Sequence, residues 1–163
     1  MPDILKLHFQ DSMRITQFID FSAIKSVCDV GSGGGFPGIP LAILLPEIKI
    51  TLLEVNNKKV TFLQTVIDEL ELTNCNVNTL DWRTFLRQAP SAIDLFCARA
   101  SLKPDELIRI FSPSCAYKDA QLVYWASKNW KPEGNQNKFL RALQSYTVDD
   151  QHRVFAIFSG NGL

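Results

Sequence analysis

Val27-Cys-Asp-Val-Gly-Ser-Gly-Gly-Gly-Phe-Pro-Gly-Ile-Pro40 is the stretch from which the fold can be read. Val27 to Val30 is a short apolar run interrupted by one acid, as expected of a buried strand. It stops at Gly31, and Gly31, Gly33, Gly34 and Gly35 fall within five positions. Phe36-Pro37-Gly38-Ile39-Pro40 then leads into Leu41–Leu45, which reads as a helix. Strand, glycine turn and helix in that order bring backbone close to a nucleotide-like ligand, because glycine tolerates positive φ and carries no Cβ to block the approach. In open α/β sheets such a turn sits at the carboxyl end of a central strand.

Outward from this turn, strand and helix alternate. Residues 25–30 form the first strand and Ile48–Glu54 the second, rich in β-branched residues. Asn57–Leu72 follows as a helix, with Val60, Phe62, Leu63, Val66, Ile67 and Leu70 at three-and-four spacing. Cys75–Thr79 is a third strand, Asp81–Leu86 a short helix, Ile93–Ala98 a fourth strand, Leu102–Phe111 a helix begun near Pro104, and Gln121–Ala126 a fifth strand. This alternation predicts a parallel sheet with right-handed crossovers. The end of the chain departs from it. Phe139–Leu143 reads as a short helix or a strand start. Gln144–Val148 and Arg153–Ser159 read as an antiparallel hairpin joined by Asp149–His152. Residues 1–24 read as largely helical, with Asp11-Ser12 able to cap a new helix. Pro132–Asn137 is the most loop-like segment and a candidate for disorder or substrate contact.

The chain has 163 residues, enough for one domain over residues 1–163. No run of eighteen apolar residues predicts a membrane span. Asp3, Lys6 and His8 among the first apolar residues argue against a signal peptide, so a cytoplasmic location is expected. The four cysteines show no C-x-x-C spacing, which weighs against a metal site. Formal net charge is zero, against the basic surplus usual for proteins with a long nucleic-acid footprint.

Gly33–Gly38 fits the dinucleotide spacing, and Glu54 follows at the distance of a ribose-binding acid. Two features point instead to S-adenosylmethionine. Asp29 precedes the first glycine by two positions, and Pro37 and Pro40 shape the helix entrance. The amino group and sulfonium of S-adenosylmethionine are positive, unlike a pyrophosphate, which suits an acid ahead of the turn. A terminal antiparallel hairpin is a mark of methyltransferase sheets rather than of dehydrogenases.

Asp29-Val-Gly-Ser-Gly-Gly-Gly-Phe-Pro-Gly-Ile-Pro-Leu-Ala42 resembles the signature of the RsmG family, also called GidB, the bacterial 16S rRNA guanine-N7 methyltransferases. The likeness includes His8–Ser12, Thr51–Glu54, Lys58–Leu63, Glu69–Asn74 and Ala98-Arg99-Ala100, and spans roughly residues 5 to 128. It implies a class I S-adenosylmethionine-dependent methyltransferase fold, Rossmann-like, with seven mostly parallel strands ordered 3-2-1-4-5-7-6. By the resemblance, Asp29, Gly31, Ser32, Gly33 and Gly35 line the cofactor's methionine end and Phe36 closes over it. Glu54 would hold the ribose hydroxyls, Val55 would lie beside the adenine, and Asp81-Trp82 would lie at its edge. Arg99 would face both cofactor and substrate, and Lys128 would follow the fifth strand on the substrate side. The implied partner is 16S rRNA or the small ribosomal subunit, with no membrane and no metal.

Guanine N7 carries an in-plane lone pair, so its methylation requires placement in line with the S–CH₃ bond rather than a base. Arg99 is the strongest substrate-side candidate, since its fork can bond a guanine O6 edge or a phosphate. Lys128 and Arg153 could meet RNA backbone, and His8 could face the ligand crevice. Trp125 and Trp130 bracket Lys128 and could stack on a base. Cys97 lies where a base-C5 methyltransferase would need a nucleophile, but within a run that reads as strand interior. The pattern departs from the family at several points. The helical region ahead of His8 is expected to be missing, Leu80 stands before Asp81 where an arginine is common, Lys128 is followed by Asn129, and His152-Arg153 is reversed. Two further readings therefore stay open: a methyltransferase on a different or smaller substrate, and a cofactor-binding protein without rRNA methylation activity.

Overall fold

The computed structural model describes residues 4–161. The first three residues of the segment expected to be helical lie outside the described residues. Seven strands form one sheet: β1 (Ser26–Val30), β2 (Lys49–Leu53), β3 (Cys75–Asn78), β4 (Leu95–Arg99), β5 (Gln121–Ser127), β6 (Leu140–Val148) and β7 (Gln151–Ser159). Their order is β3-β2-β1-β4-β5-β7-β6, as the resemblance implies. β1 to β5 pair in parallel, and β7 runs antiparallel between β5 and β6.

β1 is the inner spine of the sheet, and all five of its residues are buried. Period-two alternation sends its side chains to two cores. Val27 joins Leu41, Leu52, Leu63, Leu95, Val123 and Phe155 on one face. Cys28 and Val30 join Phe85, Phe96, Leu107, Ile110, Leu122 and Phe158 on the other. Covering helices are α1 (Ile4–Met13), α2 (Gly38–Leu44), α3 (Asn57–Glu69), α4 (Trp82–Gln88), α5 (Pro104–Leu107) and α6 (Gln136–Phe139). No helix among the described residues is long and apolar enough to cross a membrane.

Local chemistry sets the ends of these elements. Asn56 caps α3 by accepting from the Lys58 and Lys59 amides. α3 ends three residues before the predicted Leu72, where Glu71 takes a positive φ of 52°. Of its six predicted apolar positions only Leu63 and Ile67 are buried, and Phe62 and Leu70 are exposed. The stripe is thus narrower than the periodicity suggested. The terminal hairpin turns on two residues, not four: Asp149 and Asp150 have φ of 46° and 60°, while Gln151 and His152 already pair with Val148 and Thr147. Positive φ at both central positions is the backbone that a two-residue hairpin requires. Asp11-Ser12 does not start a helix either. Both residues are wholly buried in the last turn of α1, and Ser12 Oγ donates to the His8 carbonyl. Asp20 caps the next short turn instead, accepting from Ser22.

Candidate active site

The glycine turn is tied down at its edges. Gly31 N–H and Ser32 N–H both donate to the Leu53 carbonyl, at 2.8 and 3.1 Å. Ser32 Oγ donates to the Asp29 carbonyl at 2.9 Å. A Cβ on Gly31 (φ +68°) would lie 2.5 Å from Ser101 Cβ, so the β1 turn and the segment after β4 approach too closely for any side chain there. Asp29 itself points into the protein. Its Oδ2 accepts from Gly38 N–H at 3.0 Å, at the start of α2, while its buried Oδ1 has no partner. Burial pushes this carboxyl up to about 7. Asp29 therefore holds the turn to α2, and it is Glu54 that faces the cleft.

Glu54 closes β2 with each carboxylate oxygen occupied once. Oε2 accepts from Gly33 N–H and Oε1 from Asn56 N–H, both at 2.9 Å. Beside it opens a cleft of about 730 Å³ at the carboxyl edge of the sheet. Gly31, Glu54, Val55, Asp81 and Trp82 all line it, so five of the predicted cofactor residues converge. Val55 is exposed there. Asp81 caps α4, accepting from Thr84 N–H, and the Thr84 side chain and then this backbone bond hold its carboxyl below the usual range. Trp82 is buried edge-on against Phe96, with its indole N–H donated to the Glu106 carbonyl, so it forms a fixed wall. Leu80, noted above only as a departure from the family pattern, also lines it, as do Ser101 and Leu102, which were not singled out from the sequence. Ser101 Oγ is buried there without a partner.

A second group lies under α1. Arg99, at the end of β4, places Nε 3.4 Å from Asp11 Oδ2 and donates from Nη2 to His8 Nδ1. Arg153 on β7 places Nε 3.5 Å from Asp11 Oδ1, which also accepts from Tyr146 on β6 at 2.7 Å. Burial, followed by this bond to Asp11, pushes the Tyr146 hydroxyl far up. The His8 ring packs 5.3 Å from Phe36 of the glycine turn, which also meets Phe9 edge-on. Three predicted substrate-side residues, His8, Arg99 and Arg153, are therefore gathered around one buried acid. The acid was legible only as a helix cap, since nothing local to residue 11 shows that two arginines from distant strands will meet it.

Other expectations separate from this group. Lys128 is exposed in the turn after β5. Trp125 packs edge-on against Phe155, and Trp130 packs against Tyr124 and Phe158. Neither tryptophan is a free stacking surface beside Lys128, because the sheet claims both rings. Pro132–Asn137 runs into α6, where buried Gln136 donates to Asp105 on α5. Gly35 (φ +93°) sits against Ile39 and Leu63. Cys97 is fully buried, and desolvation pushes its thiol far above the ordinary range, which removes it as a nucleophile.

Comparison with known proteins places this geometry. A family profile described as GidB, rRNA small subunit methyltransferase G, matches residues 1–160. The ribosomal RNA small subunit methyltransferase G of Macrococcus caseolyticus (strain JCSC5402) is 49% identical over 69 residues, covering 42% of this chain and 29% of the relative. That of Staphylococcus aureus (strain Newman) is 31% identical over 151 residues, covering 92% of this chain and 63% of the relative. The chain thus spans less than two thirds of the length of these curated relatives. Among solved structures, a SAM-dependent methyltransferase from Aquifex aeolicus superposes with a TM-score of 0.66 at 17% identity, over 97% of this chain and 94% of that one. M. capricolum TrmK, in complex with S-adenosyl-homocysteine, gives a TM-score of 0.68 at 10% identity, over 93% of this chain and 68% of that one. At these identities the likeness concerns the fold, which is that of the class I S-adenosylmethionine-dependent methyltransferases. With the fold, the glycine turn and the profile match over residues 1–160 in agreement, the chain belongs to the GidB family, rRNA small subunit methyltransferase G.

Proposed function

We propose that the protein binds S-adenosylmethionine in the cleft beside Glu54 and transfers its methyl group to N7 of a guanine in 16S rRNA. The observation that carries the reading is Glu54, a buried acid at the end of β2 that opens onto this cleft. Each carboxylate oxygen accepts one backbone N–H and keeps a further lone pair, so the pair can also accept two vicinal ribose hydroxyls. The cleft volume lies in the ordinary range for small-molecule sites. Ser101 Oγ, buried and unpartnered, supplies one more polar group for the ligand.

When bound, the cofactor supplies an electrophilic methyl on a sulfonium. Val55 and Trp82 would flank the adenine, with Asp81 at its edge. Gly31, Ser32, Gly33, Gly35 and Phe36 would shape the methionine end, and Asp29 would hold that turn from beneath. His8, Arg99 and Arg153 form the side from which a base would enter, and Lys128 lies further out as a backbone contact. No residue has to take a proton before N7 attacks, so the chain's task is alignment and exclusion of water. The work of these side chains is consistent with a site that has no general base at its centre. Such a substrate also fits a cytoplasmic location.

The test is incubation with labelled S-adenosylmethionine and either undermethylated small ribosomal subunits or naked 16S rRNA, followed by nucleoside analysis. One new N7-methylguanosine is expected. Tight cofactor binding with no label on either RNA would remove the rRNA reading and leave the cofactor site standing.

A further inference from the structure

Asp11, Arg99 and His8 form a chain of contacts that methyl transfer as described does not use. Asp11 is wholly buried and reaches three strands at once, through Arg99 on β4, Tyr146 on β6 and Arg153 on β7. Held this way, Arg99 has little freedom to swing out to a substrate, and its side chain is only 14% exposed. Its Nη2 is committed to His8 Nδ1. The sequence suggested a direct arginine contact; the geometry puts His8 between Arg99 and the glycine turn.

The direction of the Arg99–His8 bond settles the proton on the ring. A guanidinium only donates, so Nδ1 must accept and carries no hydrogen. A neutral imidazole then has its one N–H at Nε2. The groups facing His8 are Asp11 on its own helix, Arg99 on β4 and Arg153 on β7. Burial, then Arg99, holds the ring below its ordinary pKa, Asp11 opposes them, and Arg153 adds to the lowering. A neutral ring matters at this place, because a guanine methylated at N7 becomes cationic and a histidinium would repel it.

We propose that Asp11 and Arg99 are positioning residues that lock His8 in its Nε2–H tautomer, so that His8 donates to O6 of the guanine being methylated. The proposal rests on the reading of the site given above. Guanine presents O6 and N7 on one edge, both acceptors, whereas adenine presents an amino donor beside its N7. A fixed Nε2–H accepts the first edge and rejects the second. Phe36, its ring tilted against that of His8 at a centroid distance of 5.3 Å, ties that donor to the turn on which the methyl end of the cofactor is expected.

Two measurements on the full chain test this. The first is ¹⁵N NMR of histidine-labelled protein, where only His8 and His152 contribute. At neutral pH the His8 Nδ1 signal is expected to be that of an unprotonated nitrogen. Arg99→Lys, which keeps a donor, should retain the pattern, and Arg99→Leu should give mixed tautomers. A protonated Nδ1 in the wild type, or no change in a folded Arg99→Leu, overturns the relay. The second is transfer kinetics for His8→Gln and His8→Phe. A glutamine amide can replace the Nε2–H donor, so His8→Gln should exceed His8→Phe about tenfold in kcat/KM, the effect of one hydrogen bond. Cofactor affinity should match in the two variants. Equal transfer overturns the role of His8 as donor. Absence of transfer by the wild type would remove the rRNA reading and the donor role with it, while the tautomer measurement still decides the relay.

Discussion

Asp11 Oδ2 lies 3.4 Å from Arg99 Nε, where the last turn of α1 meets the carboxyl end of β4. Among the described residues, Asp11 is the one carboxylate that Arg99 and Arg153 share, and its side chain is 1% exposed. Removing one member of a buried charge group costs more than the group contributes as a whole, because its partners stay buried without a counter-charge. Asp11→Ala should therefore lower unfolding free energy by about 3–5 kcal/mol. Denaturant titration would check this. A loss below about 1 kcal/mol, the value of an exposed pair, would show that α1 is not locked to the sheet here.

Asp29 carries a pH signature. Its carboxyl is raised from 3.8 to about 7, chiefly by burial. The folded state thus favours the neutral acid. That contribution is fully present below the unfolded pKa, is lost as pH rises through the folded value, and is constant above it. Asp29→Asn keeps an acceptor for Gly38 N–H and cannot ionise. It should match wild type near pH 4 and exceed it at pH 8, by on the order of a few kcal/mol. Stability curves at the two pH values decide the matter, and parallel curves would mean that the buried carboxylate ionises freely.

The glycines of the turn should separate into two classes. A Cβ at Gly38 would lie 2.2 Å from Leu52 Cδ2 and 2.8 Å from Asp29 Oδ2. Gly38→Ala should destabilise by about 1–3 kcal/mol through overpacking. Gly33 (φ +56°) meets nothing closer than 3.9 Å, so its side is open. Gly33→Val should cost stability through backbone strain, about 1–2 kcal/mol, and abolish cofactor binding by calorimetry. Retained binding in a folded Gly33→Val would place the ligand elsewhere.

Glu54→Gln removes one charge and turns an acceptor into a donor beside two N–H groups already aimed at it. One of Gly33 N–H and Asn56 N–H then loses its partner, at a cost of about 1–3 kcal/mol. Cofactor affinity should fall by at least about tenfold, from the lost bonds to ribose. Unchanged affinity would exclude Glu54 from the ligand.

Cys97→Ala tests the excluded chemistry. The thiol is fully buried and held neutral. Methyl transfer should persist at the wild-type rate, and a loss with cofactor binding intact would restore the nucleophile.

Much of the fold was legible because it rests on local signals. Val27–Val30, Ile48–Glu54 and the glycine run show their strand and turn character in periodicity and residue type alone. Glu54 was legible for the same reason: it ends a strand at a fixed distance from the turn, and parallel register brings the two together. The hairpin length was misread because Asp149 and Asp150 accept positive φ without glycine. The α3 stripe is narrower than its periodicity suggests because helical spacing does not say how far the sheet covers the helix, and Phe62 and Leu70 stay exposed.

By itself the sequence determined the strand–turn–helix core, the order in which strands and helices follow, and the acid that opens onto the cleft. These depend on neighbours within a few residues or on one parallel pairing. Tertiary structure alone decided which charges are spent on the protein and which are left for a ligand. Asp29 turned inward to Gly38, Trp82 and Trp125 were taken by packing, and Asp11 gathered Arg99, Arg153 and Tyr146 from three strands. The physical reason is that burial and pairing of a charged or aromatic side chain depend on groups far away in sequence, which meet only when the sheet is assembled.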